Sequence, residues 1–216
     1  LNSYVNRVGH RFETQLRASP IEQSADFSYS IPLARASEDS LRFDLGLQRE
    51  QPDSFTSDTA KFGVRWLFMS QFDWRQSVFA SYQRDNFQIA DLPDRSAELT
   101  LFGSSVTRTE ADDAILPRRG WRALLRVRGA ADSVLSDVNM LQLDANLKRV
   151  YSIGSVRLLS RLDIGSTWTD NKDALPVSVL YYAGGDQSVR GYEYQSLGIG
   201  SDLESLNPGR HMIAAA

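Results

Sequence analysis

The sequence predicts an all-β chain, an antiparallel up-and-down transmembrane β-barrel present in part, and three observations point there. Apolar and polar residues alternate with period two through nine successive segments of about ten residues. No convincing helix separates them, and the polar side of the alternation is rich in arginine and lysine. An extended chain sends successive side chains to opposite faces, so each segment offers one greasy face and one charged face.

Phe12, Thr14, Leu16 and Ala18 alternate with Arg11, Glu13, Gln15 and Arg17, which makes the first strand. Ala25, Phe27, Tyr29, Ile31 and Leu33 against Ser24, Asp26, Ser28 and Ser30 make the second. The third sets Leu41, Phe43, Leu45 and Leu47 against Arg42, Asp44 and Gln48, and the fourth sets Ala60, Phe62, Val64, Trp66 and Phe68 against Lys61 and Arg65. In the fifth, Trp74, Val78, Ala80 and Tyr82 oppose Arg75, Ser77, Ser81 and Gln83, and Phe79 breaks the alternation. The sixth, residues 97–108, is blurred around Gly103, where a β-bulge is expected. Trp121, Ala123, Leu125 and Val127 against Arg122, Arg126 and Arg128 give the seventh, and Leu141, Leu143, Ala145 and Leu147 against Gln142, Asp144, Asn146 and Lys148 the eighth. The ninth, residues 156–168, opposes Val156, Leu158, Leu162 and Ile164 to Arg157, Arg161 and Asp163.

Such a series implies a meander whose neighbours pair in sequence order. Residues 69–73 and 151–155 read as tight connections, whereas "EQPDSFTSD" and "NFQIADLPDRS" read as longer polar loops. Alternate turns of a meander share a side. The two tight turns therefore lie together, and the connection after the ninth strand lies opposite.

Alternation by itself also fits a soluble sandwich, and three features favour lipid. The polar face carries Arg11, Arg17, Lys61, Arg65, Arg122, Arg126, Arg128, Arg157 and Arg161, while the other face, interrupted by Ser160 and Ser166 in the ninth strand, is uniform enough to meet lipid. Strands of about ten residues match a tilted bilayer crossing, and soluble strands average about five or six. Trp66, Phe68, Phe72 and Trp74 surround one tight turn, as an aromatic girdle at a membrane edge would.

Bulk properties exclude several classes. A net charge of −3 and a pI near 5.5 give no basic field for nucleic acid. The absence of cysteine removes disulfides, thiolate metal sites and a cysteine nucleophile together. The uncharged run 174–185 is too short for a membrane helix and contains Pro176. Residues 1–11 lack the pattern of a signal peptide, so the chain reads as an internal piece. His10 and His211 stand far apart, and HExxH, GxSxG and phosphate-loop patterns are missing. Asp170, Asn171, Lys172 and Asp173 lack the spacing of a calcium loop, and Asp112 with Asp113 reads as a polar turn rather than an acid/base pair. Neither enzyme activity nor a metal or other cofactor is expected.

The segment "YYAGGDQSVRGYEY" sets Gly184, Gly185, Asp186, Ser188, Val189, Arg190, Gly191 and Tyr192 between aromatic residues. It resembles the signature of the long extracellular loop in the outer-membrane assembly-factor superfamily, which includes BamA, TamA and the two-partner secretion transporters. "AGGDQSVRGY" and "SPIEQSADFSYSIPL" look most like the TamA branch, and the resemblance covers essentially all 216 residues. It implies an incomplete barrel domain over residues 1–216, with residues 175–206 as an extracellular loop folded into the barrel. It also implies that Arg190 lodges against acidic groups of the inner wall, on strands beyond Ala216, with Asp163 the weak candidate within this chain. An arginine left unpaired there would cost roughly 3–5 kcal/mol. The family barrel has about sixteen strands. The resemblance places this chain after the first two of them and ends it in the strand following the loop, so it is not expected to span a bilayer alone. The implied location is the Gram-negative outer membrane. The implied role is to help insert autotransporter-type barrels, with a TamB-like periplasm-spanning protein and the lipid bilayer as partners. General BamA-like assembly, two-partner secretion, a passive porin and an autotransporter β-domain are the competing roles.

Overall fold

In the computed structural model, residues 2–4, 8–33, 39–52, 55–70, 72–89, 93–171, 174–181 and 209–215 are described. They form one antiparallel sheet of 11 strands whose spatial order is the sequence order. The strands are β1 (Asn2–Tyr4), β2 (Arg11–Ala18), β3 (Glu22–Pro32), β4 (Ser40–Glu50), β5 (Phe55–Met69) and β6 (Arg75–Ile89). They continue with β7 (Arg95–Ala111), β8 (Arg119–Ala130), β9 (Met140–Ile153), β10 (Val156–Thr169) and β11 (His211–Ala215). A 3-10 turn, Val177–Val179, follows β10. The nine segments expected from periodicity are β2 to β10. The short strands β1 and β11 carry too few residues to show a period; β11 is the strand after the long loop in which the resemblance ends the chain, and β1 is an addition.

Register follows from the alternation, because a slip of one residue would turn every leucine to the wrong face. One row of paired positions runs Ile31, Leu41, Trp66, Val78, Ser104, Val127, Leu143, Ser166 and His211. These side chains share the outer face with Leu45, Leu47, Phe62, Phe102, Leu125, Leu147 and Ile164, all exposed. No second sheet covers them among the described residues, which sets aside a sandwich. The nine cations of the polar face all stand on the opposite, concave side. Arg65 pairs across strands with Arg42 and Phe79, Arg126 with Ser105 and Asp144, and Arg128 with Gly103 and Gln142.

Two expectations are corrected. The pairing of β7 with both neighbours is continuous through Gly103, so there is no bulge. The blurred alternation has another cause: the Phe79 ring points inward and lies over Gly103, where a Cβ would meet Phe79 Cζ at 2.5 Å. The two polar loops are also shorter than expected. β5 begins at Phe55 and β6 runs to Ile89, so the connections shrink to 51–54 and 90–94.

These extensions carry an inverted pattern. Near this end of β5 to β7, Phe55, Phe87, Ala97, Leu99 and Leu101 are buried on the concave side. Asp58 pairs with Arg49, and Arg84 with Glu98, on the outer side. The sheet is thus greasy outside along its middle and greasy inside at one end, which is the end from which the long loop departs. The opposite end carries the two tight turns, 70–74 and 154–155, together with the seven-residue connections 33–39 and 112–118. Between β9 and β10 only Gly154 and Ser155 intervene, with Gly154 at φ +59, the first-position glycine that a II′ hairpin needs.

Candidate functional site: the concave wall and the root of the long loop

Residues 174–181 fold onto the concave wall. Leu175 and Val179, 1% exposed each, sink among Leu99, Leu101, Val138 and Met140. Burying two such side chains contributes about 1.5–3 kcal/mol each. Leu99 and Leu101 therefore stand on the face that is otherwise charged because the loop root covers them. The 3-10 turn is held by Val179 N donating to the Pro176 carbonyl at 3.2 Å.

Polar contacts complete the seat. Gln142, fully buried, donates from Nε2 to the Val179 carbonyl and to Thr167 Oγ1, both at 2.6 Å. Its Oε1 accepts from Arg128 Nε at 2.5 Å. Gln83 Nε2 donates to Ser178 Oγ at 3.1 Å and to Asp85 Oδ2 at 2.9 Å, and Thr59 Oγ1 donates to Asp85 Oδ1 at 2.5 Å. Both limbs of the loop then meet: Tyr181 N donates to the Gly209 carbonyl at 2.9 Å, and Gly209 N donates back at 2.7 Å. The Tyr181 hydroxyl reaches Asp144 Oδ1, whose Oδ2 accepts from Arg126 Nε at 3.0 Å. Burial, with this carboxylate, raises the Tyr181 hydroxyl above its ordinary pKa and keeps it a donor at neutral pH. The neck of the loop is therefore fastened inside the curve of the sheet, at the end opposite the tight turns.

Residues 7–215 match the Omp85 superfamily domain. The chain belongs to the Omp85 superfamily. Among solved structures it is similar to the crystal structure of BamA from Haemophilus ducreyi lacking POTRA domains 1-3, with a TM-score of 0.79 and 14% sequence identity. That likeness covers 96% of this chain and 46% of the BamA chain, and at such identity it speaks for the fold. This chain thus spans about half the length of the BamA chain it matches.

The motif that led the sequence argument, Gly184, Gly185, Asp186, Ser188, Val189, Arg190, Gly191 and Tyr192, lies outside the described residues of this Omp85 chain. Asp163, the weak candidate for Arg190, is engaged by Arg161 and Asn146 on the concave wall. Of the aromatic group, Trp66 and Phe68 stand on the outer face with ring centroids 4.7 Å apart, and Phe72 is 74% exposed in the turn beside them. Trp74 faces Arg108 at 5.7 Å. Sequence reasoning placed Trp121 on the apolar face but did not count it, or Tyr151, with the girdle, and the sheet brings both to the outer face at this same end. The signal was present, since each flanks a connection whose parity matches that of the turn at 70–74. It also missed the seat for the loop root, which an apolar pair on the charged face of the sixth segment, Leu99 and Leu101, announces.

His10 Nδ1 meets the Tyr29 hydroxyl at 2.7 Å and His211 Nδ1 meets Ser166 Oγ at 2.7 Å, at separate places on the sheet. Among the described residues, no group of three or more His, Cys, Asp or Glu side chains converges as a metal site would require. Asp170 accepts from Asn139 Nδ2 at 2.9 Å, which ties the end of β10 to the loop before β9.

Proposed function

We propose that this Omp85 domain sits in the Gram-negative outer membrane as part of a factor that assembles β-barrel proteins, with autotransporter-type barrels as its clients. The observation that carries the proposal is the two-sidedness of the sheet: a largely apolar exposed face outside, and charged residues with a seated loop root inside. On β5 the outer apolar run from Ala60 to Phe68 rises about 20 Å at a tilt of about 45°. Barrels of the outer membrane carry an apolar band about 25 Å tall. Trp66, Phe68, Phe72 and Trp74 would form the girdle at its lower edge.

In such a factor the client strand needs partners for its backbone as it leaves water, since each unsatisfied amide in hydrocarbon costs several kcal/mol. An edge of the sheet offers those partners by strand addition. The part of this domain is to hold the long loop in place, through the seat on β6 to β10 and through Arg190. The TamA branch, with a TamB-like periplasm-spanning partner, is favoured by "AGGDQSVRGY" and "SPIEQSADFSYSIPL". General assembly in the manner of BamA is the second reading, favoured by the structural likeness.

The deciding experiment replaces Arg190 by Ala in the full-length protein, in cells that depend on it. Loss of folded autotransporters from the surface, with general outer-membrane proteins at normal levels, is expected. Equal loss of both favours the BamA-like reading. Normal assembly of all clients would leave only a passive pore or a client barrel.

A further inference from the structure

On the outer face, at the end that carries the two tight turns, three arginines gather around two aromatic rings. Arg119 Cζ lies 5.2 Å and Arg149 Cζ 5.8 Å from the centre of the Tyr151 ring. Arg108 Cζ lies 5.9 Å from the centre of the Trp121 ring. The pairing explains the cluster, because Glu110, Trp121 and Arg149 form one cross-strand row and Arg119 with Tyr151 forms the next. Immediately above them on the same face stand Ala123, Leu125, Leu147 and Ala145. The group thus occupies the boundary where the apolar band ends.

Its charges do not balance. Glu110 is taken by Arg108 and by Trp121 Nε1, which donates to Oε2 at 3.2 Å. Arg119 and Arg149, both exposed, have no carboxylate partner among the described residues. At the opposite end of the band the outer arginines are matched, Arg49 with Asp58 and Arg84 with Glu98. A shallow groove lined by Glu110, Asp112, Arg119, Trp121, Arg149 and Tyr151 runs between the two rows, and the Asp112 carboxylate in it is taken by the backbone amides of Arg118 and Arg119 rather than by a guanidinium. Two unmatched guanidiniums over a tyrosine, below a greasy surface, fit a phosphate whose acyl chains run upward along the strands.

We infer that this patch is a binding site for the headgroup of an anionic glycerophospholipid in the leaflet facing the tight turns. The inference rests on the membrane reading above. In the site, Arg119 and Arg149 fork onto the phosphate oxygens, the Tyr151 ring keeps both guanidiniums at the headgroup level, and Arg108 stays with Glu110.

The test is native mass spectrometry of the full-length protein released from nanodiscs made of phosphatidylcholine with one-fifth phosphatidylglycerol. The wild type should retain phosphatidylglycerol preferentially. A double Arg119→Gln, Arg149→Gln variant should lose that preference roughly tenfold or more, from the removal of two interfacial charges. The Arg119→Lys, Arg149→Lys pair, which keeps the charge, should retain most of it. Arg49→Gln with Arg84→Gln at the other end should leave it unchanged. Equal retention by the wild type and the Gln pair overturns the site, as does inorganic phosphate displacing the lipid at millimolar concentration. Failure of the wild type to enter nanodiscs would instead overturn the membrane reading itself.

Discussion

The Tyr181 hydroxyl donates to Asp144 Oδ1 at 2.5 Å, while its ring covers Gly165, where a Cβ would stand 2.4 Å from Tyr181 Cζ. Asp144 is thereby shared between a wall arginine, Arg126, and the first residue of the loop motif's aromatic flank. Replacing Tyr181 by Phe keeps the ring on Gly165 and removes only the bond. A cost of about 1–2 kcal/mol to the seating of the loop root is expected. Hydrogen exchange at the amides of Val179 and Tyr181 should quicken while the strands keep their protection. Unchanged exchange at those amides would show that the hydroxyl holds nothing in place.

Two glycines should respond differently to the same change. At Gly165 the three nearest atoms to an added Cβ all belong to the Tyr181 side chain. At Gly103 they include the Val127 carbonyl at 2.6 Å and Arg128 Cβ at 2.9 Å as well as the Phe79 ring. Gly165→Ala should therefore be harmful alone and nearly neutral once Tyr181 is also Ala. Gly103→Ala should cost roughly 1–3 kcal/mol by overpacking, and removing the Phe79 ring should restore only part of it. Denaturant unfolding of the four single and two double variants in detergent gives the comparison. Full rescue of Gly103→Ala by Phe79→Ala would contradict the backbone clash.

These contacts show what the sequence discloses and what it hides. Period two is a local property, so Leu45 and Asp44 reveal their opposite faces without any partner, and the order of the strands follows. Depth is not local. Leu99 and Leu101 look like errors of alternation until residues 174–181 arrive to cover them, a contact more than seventy positions away in the chain. Phe79 likewise reads as a fault until it meets Gly103 across the strands. Parity placed the tight turns on one side, yet it gave no sign that Arg119 and Arg149 would meet over one tyrosine, because their 30-residue separation has no periodicity to betray it. The motif around Arg190 was legible only by resemblance, and its eight residues lie outside the described part of the chain.

The outer face supplies a depth-dependent prediction. Leu45, 46% exposed, sits between Phe27 and Phe62 in the middle of the apolar band, and Thr56 lies beyond the band on the outer side of β5. Leu45→Arg should destabilise the full-length protein in vesicles by roughly 2–4 kcal/mol, and Thr56→Arg by about 0–1 kcal/mol. Reversible urea unfolding in lipid measures both. If the two substitutions cost the same, this face does not meet hydrocarbon.

The turn joining β7 to β8 supplies a prediction about pH. Asp112 Oδ1 accepts from the amides of Arg119 at 3.0 Å and Arg118 at 2.9 Å, and Asp113 Oδ1 accepts from those of Leu116 and Ile115, both at 2.8 Å. These bonds favour the charged form, so both carboxyls are held below their ordinary range. A group whose folded pKa is depressed stabilises the fold above its unfolded value, about 3.9 for aspartate, and loses that contribution as pH falls through the folded value. The turn should hold its geometry from neutral pH down to about 4 and loosen only in stronger acid. Amide chemical shifts of residues 115, 116, 118 and 119, followed from pH 7 to pH 2 in detergent micelles, should move together in that last interval. In an Asp112→Asn, Asp113→Asn variant the carbonyl oxygens still accept but carry no charge, and the titration should vanish. A transition in the wild type that is centred above pH 5, or one that survives the double substitution, would mean that other groups govern this turn.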